Sequence, residues 1–245
     1  MIRIQDLHKT FEGRKLYDGL NLSIPNQKIT VILGKSGVGK SILLKHILGL
    51  ILPDSGRIEI AGRDIAQLSE QERRQTRLQF GMVFQHSALL DSLTVEQNVG
   101  LGLQKLTELP ERDIHARVQR CLKSVGLEAA GHLLPEKLSG GMRKRAAFAR
   151  AVVMNPPYLL YDEPTTGLDP TAASTISDLI IQFNRDFQTT SVVVTHDVGA
   201  TLQIADRIVL LEEGKIQLEC TPVQFRSSDH PLVQSFLGTS PEMMD

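Results

Sequence analysis

Apolar and polar residues alternate along "MIRIQDLHKTF" and again along "LNLSIPNQ". This period of two predicts two β strands, each with one covered face. The next run, "KITVIL", is continuously apolar and reads as a strand buried on both faces. It ends in the glycine-rich stretch "GKSGVGKS" at 34–41, after which Ile42, Leu43, Ile47 and Leu50 recur at helical spacing. Strand, glycine loop and helix therefore follow in that order. "PDSG" turns the chain into "RIEIAGRDI", another short strand. "SEQERRQTRL" at 69–78 predicts a charged surface helix, and "FGMVFQ" a strand.

The pattern changes from about 87 to 155, where "TVEQNVGLGL", "PERDIHARVQRCLKSVGL" and "GGMRKRAAFARAVVM" predict helices. In the second of these, Ile114, Val118, Cys121, Leu122 and Val125 form an apolar stripe. Strand signals resume with "PYLLYDEP", a helix over about 171–186, "SVVVTH", and the hairpin "RIVLLEEGKIQLE" turning near Glu213 and Gly214. Short helices are expected near "TPVQF" and "PLVQSFLG", and residues 239–245 as a loose tail. The expected fold is α/β. It has a mixed, largely parallel sheet with flanking helices, an antiparallel β subdomain and an inserted helical subdomain at about 87–155.

Composition narrows the function. The chain has 245 residues, 41% hydrophobic and 22% charged, with a formal net charge of -1. Such a balance creates no field favouring nucleic acid or an anionic membrane. No apolar run approaches the ~20 residues that span a bilayer, and the opening "MIRIQDLHKTF" lacks an export pattern. Cys121 and Cys220 lie far apart with no metal-ligand spacing, so free thiols are expected.

"GKSGVGKS" fits G-x-x-x-x-G-K-[ST] in its strand–loop–helix context, which predicts nucleotide binding in a P-loop NTPase core. The backbone from Gly34 through Lys35, Ser36, Gly37, Val38 and Gly39 would converge on phosphates. Lys40 would place a charge at the β- and γ-phosphates, and the Ser41 hydroxyl would ligate Mg²⁺. "YLLYDEP" puts Asp162 and Glu163 at the C-terminal end of a buried strand, the edge where ligands of open α/β sheets sit. Asp162 fits the acid behind Mg²⁺ and Glu163 the group that polarises water. His196 ends "SVVVTH" at the same edge and is expected at the γ-phosphate. Gln85, at another strand end, would complete the shell of Mg²⁺ and water. Ser139, Gly140 and Gly141 open a helix and so form a second anion cradle about a hundred residues away. The cations that follow, Arg143, Lys144 and Arg145, read as a solvated helix face. Met142, Ala146, Ala149 and Val153 read as packing.

In order, "GKSGVGKS", Gln85, "LSGGM", "YLLYDEP", "GLDP" and His196 resemble the ATPase subunit of ABC transporters over roughly residues 1–238. That resemblance implies a head-to-tail homodimer with ATP at the interface. Each ATP would be held by the P-loop of one chain and by Ser139, Gly140 and Gly141 of the other. It further implies Phe11 stacked on adenine, Gln85 linking the Mg²⁺ site to the helical subdomain, and Asp169 facing the dimer partner. Glu163 would be the general base, His196 the γ-phosphate sensor, and an integral membrane permease would grip the helical subdomain near Leu89, Leu90, Leu93 and Val95. "FQHSALLDSLTVEQNV", "LSGGMRKRAAFARA" and "DHPLVQSFLG" are similar to the Mla/Mce class of bacterial lipid transporters. This implies phospholipid cargo, envelope lipid-binding subunits, and a peripheral place on the cytoplasmic face of the inner membrane. An ATPase of an importer for a small polar solute would carry the same motifs. A DNA-repair or ribosome-associated ATPase of this superfamily would need a coiled-coil insertion or a second P-loop.

Overall fold

The computed structural model describes residues 1–238, so the expected tail at 239–245 lies outside the described residues. Two sheets build the molecule. The strands β1 (Ile2–Phe11), β2 (Arg14–Ile24), β4 (Ser55–Ile60) and β5 (Arg63–Asp64) form an antiparallel sheet in the order β2-β1-β4-β5. The larger sheet runs β10-β9-β3-β8-β7-β6. It comprises β3 (Ile29–Leu33), β6 (Phe80–Val83), β7 (Tyr158–Asp162), β8 (Thr190–Thr195), β9 (Arg207–Glu212) and β10 (Lys215–Cys220). Five of these are parallel, and β10 returns antiparallel at the edge. The turn into β10 falls at Glu213 and Gly214, both with positive φ, as the sequence predicts.

The central strands read as continuous apolar runs because both their faces are covered. Along β7, Tyr158 and Leu160 face one core cluster while Leu159 and Tyr161 face the other. Val192 and Val194 of β8 likewise oppose Val193. The first cluster lies between the two sheets and takes in Leu43, Leu44 and Ile47 of helix α1 (Lys40–Ile47). Deleting a buried leucine such as Leu43 typically costs 2–5 kcal/mol.

On the opposite face lie α3 (Val95–Leu106), α4 (Glu111–Ser124), α5 (Gly140–Val152) and α6 (Pro170–Phe187). The stripe expected on α4 is buried at Ile114, Val118, Leu122 and Val125, while Cys121 is half-buried. Serine, threonine and aspartate caps set several helix starts. A capping box at Thr94 and Gln97 begins α3, one at Ser69 and Glu72 begins α2 (Glu70–Arg77), and Ser139 caps α5. Each such cap contributes about 1 kcal/mol. A third cluster holds α8 (Pro222–Arg226) and α9 (Pro231–Leu237) through Phe225 and Val233 beneath β9. The short α7 (Val198–Ile204) follows β8. Both cysteines are free, and no described helix is long and apolar enough to cross a membrane.

One buried group makes the fold sensitive to acid. His46 on α1 is fully buried, edge-on to Tyr17 with ring centroids 5.7 Å apart. Burial pushes its pKa from 6.5 down to about 4. The unfolded chain therefore binds a proton below about pH 6.5 that the folded chain refuses. Stability is lost as pH falls toward 4, by about 3 kcal/mol at most. Thermal melting from pH 7 to pH 4 is expected to fall less steeply for His46→Gln than for the parent chain.

Candidate active site

Register brings the expected site residues together. Leu33 of β3 pairs with Thr195 of β8, and Asp162 of β7 with Val194 of β8. The ladder runs on past the strand ends, with Gly34 N–H donating to Thr195 O at 3.3 Å and Glu163 N–H to Val194 O at 2.9 Å. Three strand ends thus lie side by side at one edge of the sheet. Beyond them is a cavity of about 330 Å³. Ser36, Gly37, Gly39, Lys40, Ser41, Gln85, Glu163 and His196 line it, together with Leu16 and Ile42.

The glycine loop enters α1 through Gly39, whose φ of 106° is open to glycine but strained for other residues. Its carbonyl accepts the Tyr17 hydroxyl at 2.6 Å, which pins the loop to the antiparallel sheet. Lys40 is buried, and its Nζ donates to Gly34 O at 2.7 Å and Lys35 O at 3.0 Å. The same Nζ lies 3.4 Å from Glu163 Oε1. The Ser41 hydroxyl donates to Asp162 Oδ1 at 2.7 Å. Burial raises the Asp162 pKa, against the lowering effect of that hydrogen bond.

Glu163 holds φ 47°, a left-handed conformation costing a non-glycine residue of order 1–3 kcal/mol. Several partners hold its buried carboxylate. Oε2 accepts Thr166 Oγ1 at 3.0 Å and Thr195 Oγ1 at 3.2 Å, and lies 3.0 Å from His196 Nδ1. Burial alone would raise the pKa of Glu163. The His196 hydrogen bond and the Lys40 charge outweigh it and hold the carboxyl below its ordinary value. Thr166 and Thr195 are residues the sequence reading missed. Their only signal was position, three after Glu163 and one before His196.

Other expected residues lie elsewhere. Phe11 is half-exposed at the end of β1, with Lys9 Nζ 5.3 Å from its ring centre, and does not line the cavity. Val38 is half-buried against the core between the sheets. Lys35 points outward, 3.8 Å from Glu212. Asp169 is exposed and caps α6, accepting Ala172 N–H at 3.0 Å. Ser139 and Gly140 are exposed at the start of α5, and neither they nor Gly141 line the cavity. One expectation is overturned. Lys144 is not on a solvated face: it is 5% exposed, and its Nζ donates to Gln85 O and Glu163 O. The turn of α5 that leads away from the exposed start carries it under the strand edge.

A family model described as "ABC transporter" matches residues 17–166. The chain belongs to the ABC transporter family. An intermembrane phospholipid transport ATP-binding protein, MlaF of Haemophilus influenzae, is 40% identical over 98% of this chain and 91% of that protein. MlaF of Escherichia coli is 37% identical over 97% and 88%. A probable ribonucleotide transport ATP-binding protein, mkl of Mycobacterium leprae, is 36% identical over 97% and 68%. Among solved structures, a dimeric post-hydrolysis state of the cassette MJ0796 bound to ADP and Pi superposes with a TM-score of 0.83 at 32% identity. That match covers 91% of this chain and 99% of the other. The structure of cbiO1 of Clostridium perfringens, part of the ABC transporter complex cbiONQ, superposes at 0.85, with 31% identity and coverage of 99% and 96%. This ABC transporter chain is thus an ATP-binding cassette, and its enzymatic activity is ATP hydrolysis.

For this ABC cassette, removing the Lys40 ammonium deletes the buried cation that lies 3.4 Å from the Glu163 carboxylate. Lys40→Ala is expected to lower ATP affinity at least about a hundredfold, the worth of two strong charged contacts. Isothermal titration checks this; retained affinity would rule out the phosphate role of Lys40.

Proposed function

We propose that the chain energises a bacterial transporter that moves phospholipids or related lipids between the inner membrane and the envelope. It acts as a head-to-tail homodimer held by a membrane permease on the cytoplasmic face. The observation that carries the dimer is the separation within one chain. The cavity at the strand edge has Lys40 and Glu163 but none of Ser139, Gly140 and Gly141 at the start of α5, of which Ser139 and Gly140 are exposed and Gly141 is half-buried. Free N–H groups and the positive end of the α5 dipole suit an anion there. A second copy would bring them to the γ-phosphate. Lipid cargo rests on the likeness to proteins named for phospholipid transport. The relative named for ribonucleotide transport favours a second reading, an importer of a small polar solute.

Within the site, Ser41 and Asp162 offer a hydroxyl and a carboxylate in contact, an oxygen donor set that suits Mg²⁺ shared with phosphate oxygens. Gln85 would add a further oxygen from its side chain. Mg²⁺, when bound, would neutralise charge on the phosphates. Glu163 is ionised at neutral pH and can accept a hydrogen bond from the attacking water. Lys40, drawn toward a phosphate, would cease to stabilise that carboxylate, whose basicity would then rise. His196, half-exposed and already beside Glu163, is placed to meet the γ-phosphate and to orient the base. Asp169, exposed at the start of α6, is available to the partner chain. Phe11 supplies a ring for adenine.

The permease contact is assigned to a groove of about 400 Å³ that takes in Leu78, Phe80, Met82, Phe84, Leu106 and Met154. Its occupant would be an amphipathic helix of the membrane subunit. The groove includes none of Leu89, Leu90, Leu93 and Val95, the residues expected from sequence, and reaches only Ala88 beside them. Of these, Leu90 is exposed, Leu89 is half-buried and Val95 is core. Phe84 and Leu106, 41% and 55% exposed, are better anchors.

Glu163→Gln should stop hydrolysis and trap an ATP-bound dimer that elutes early on size-exclusion chromatography. A variant that stays monomeric with ATP would sink the dimer. Leu106→Asp should cut co-purification with the permease about tenfold while leaving ATP affinity unchanged. Lipids retained by the purified transporter would separate lipid cargo from a polar solute.

A further inference from the structure

Helix α5 does more than present its first residues. Lys144 Nζ donates to Gln85 O at 2.5 Å and Glu163 O at 3.3 Å. Farther along, Arg150 Nη2 donates to Ser87 O at 2.8 Å, and its Nη1 to Ala88 O. Ser87 and Ala88 both hold positive φ, 62° and 49°. Such strained residues persist only where the surroundings over-determine them. One helix therefore holds four main-chain carbonyls: three of the loop after β6, and that of Glu163. Its seat is close. A Cβ at Gly81 on β6 would lie 2.2 Å from Ala151 O, so no side chain separates strand from helix.

Lys144 is an expensive choice for such a position. Burial disfavours its charged form, and only Asp162 and Glu163 nearby oppose that. A methionine would fill a similar volume without the desolvation cost. What methionine lacks is the pair of N–H donors. Lys144 stands five residues after Ser139, a rise of about 7.5 Å along the helix. A shift of the Glu163 main chain or of the Gln85 loop is thereby passed to the start of α5 through one short, rigid segment.

We propose that Lys144 is a positioning residue tying the start of α5, the Gln85 loop and the Glu163 main chain into one unit. The state of the chain's own phosphate site then sets where Ser139, Gly140 and Gly141 stand for a second copy of the chain. This rests on the head-to-tail dimer proposed above. Lys144 does not line the cavity; it acts through the groups it holds. Coupling of this kind needs a packed element that both sites bias, and α5, with Lys144 buried and Arg150 half-buried, is such an element.

Lys144→Met keeps the stem and removes the donors. Steady-state kinetics should show kcat lowered about tenfold or more, with KM and the ATP dissociation constant within about twofold. Lys144→Arg, which restores donors at similar reach, should recover most of kcat. In a Glu163→Gln background, Lys144→Met should lower the fraction of ATP-bound dimer on size-exclusion chromatography. If Lys144→Met proves insoluble, Lys144→Gln should show the same loss of kcat. The proposal is overturned if kcat is unchanged, or if kcat falls only with the melting temperature and Lys144→Arg does not restore it. Glu163→Gln alone separates the two ideas. Its failure to dimerise would remove the dimer, whereas normal dimerisation of both Glu163→Gln and the double variant would remove only the role of Lys144.

Discussion

Lys40 and Glu163 lie buried 3.4 Å apart, and the rest of the site is arranged around that pair. Removing one member of a buried pair typically costs 3–5 kcal/mol, because the other is left as an uncompensated charge. The neighbours explain why this pair is tolerated. Lys40 has two loop carbonyls to donate to, and Glu163 has Thr166, Thr195 and His196. The same groups hold Glu163 ionised against its burial and keep it in a left-handed backbone conformation. Thr166, Thr195 and His196 hold the Glu163 carboxylate in place without help from Lys40, and such preorganised groups supply much of the electrostatic stabilisation of a transition state.

The sheet supplies the geometry. Parallel pairing of β3 with β8 and of β8 with β7 fixes the glycine loop, Thr195 and Glu163 on adjacent strand ends. Burial of both sheet faces prevents a slip in that register, since a one-residue shift would exchange the two core clusters. The antiparallel sheet adds a clamp from the other side, where the hydroxyl of Tyr17 reaches the Gly39 carbonyl. Helix α5 ties the assembly to the exposed Ser139 turn. Within one chain the cavity is lined by Glu163, Lys40 and the glycine loop, while Ser139, Gly140 and Gly141 do not line it. Relatives and solved cassettes agree on the family, while the names of the relatives differ in cargo.

Much of this was legible before any coordinates. The run "KITVIL", the loop "GKSGVGKS" and the helix after it identify a phosphate site because that chemistry needs a strand, converging N–H groups and a lysine in a fixed local order. Asp162 and Glu163 were identifiable because four apolar or aromatic residues precede them, which places the acids at a strand end. Lys144 was not legible. A cation among Arg143 and Arg145 has the local pattern of a solvated face, and only the packing of α5 under the strand edge shows where its amine goes. The apolar groove was equally hidden. Its residues come from α2, β6, α3 and α5 and their flanking loops, and no single segment carries its signal.

The sequence by itself determined the elements and the local chemistry: periods of two and 3.6, the phosphate loop, the acids, the helix caps. These depend on neighbours within a few residues, where steric and hydrogen-bonding rules act directly. Only the tertiary structure decided which of those residues meet. It put Lys40 against Glu163, 123 positions further along the chain. It turned Lys144 inward and left Ser139 and Gly140 exposed. Burial and strand register made those choices, and both are properties of the whole packed chain.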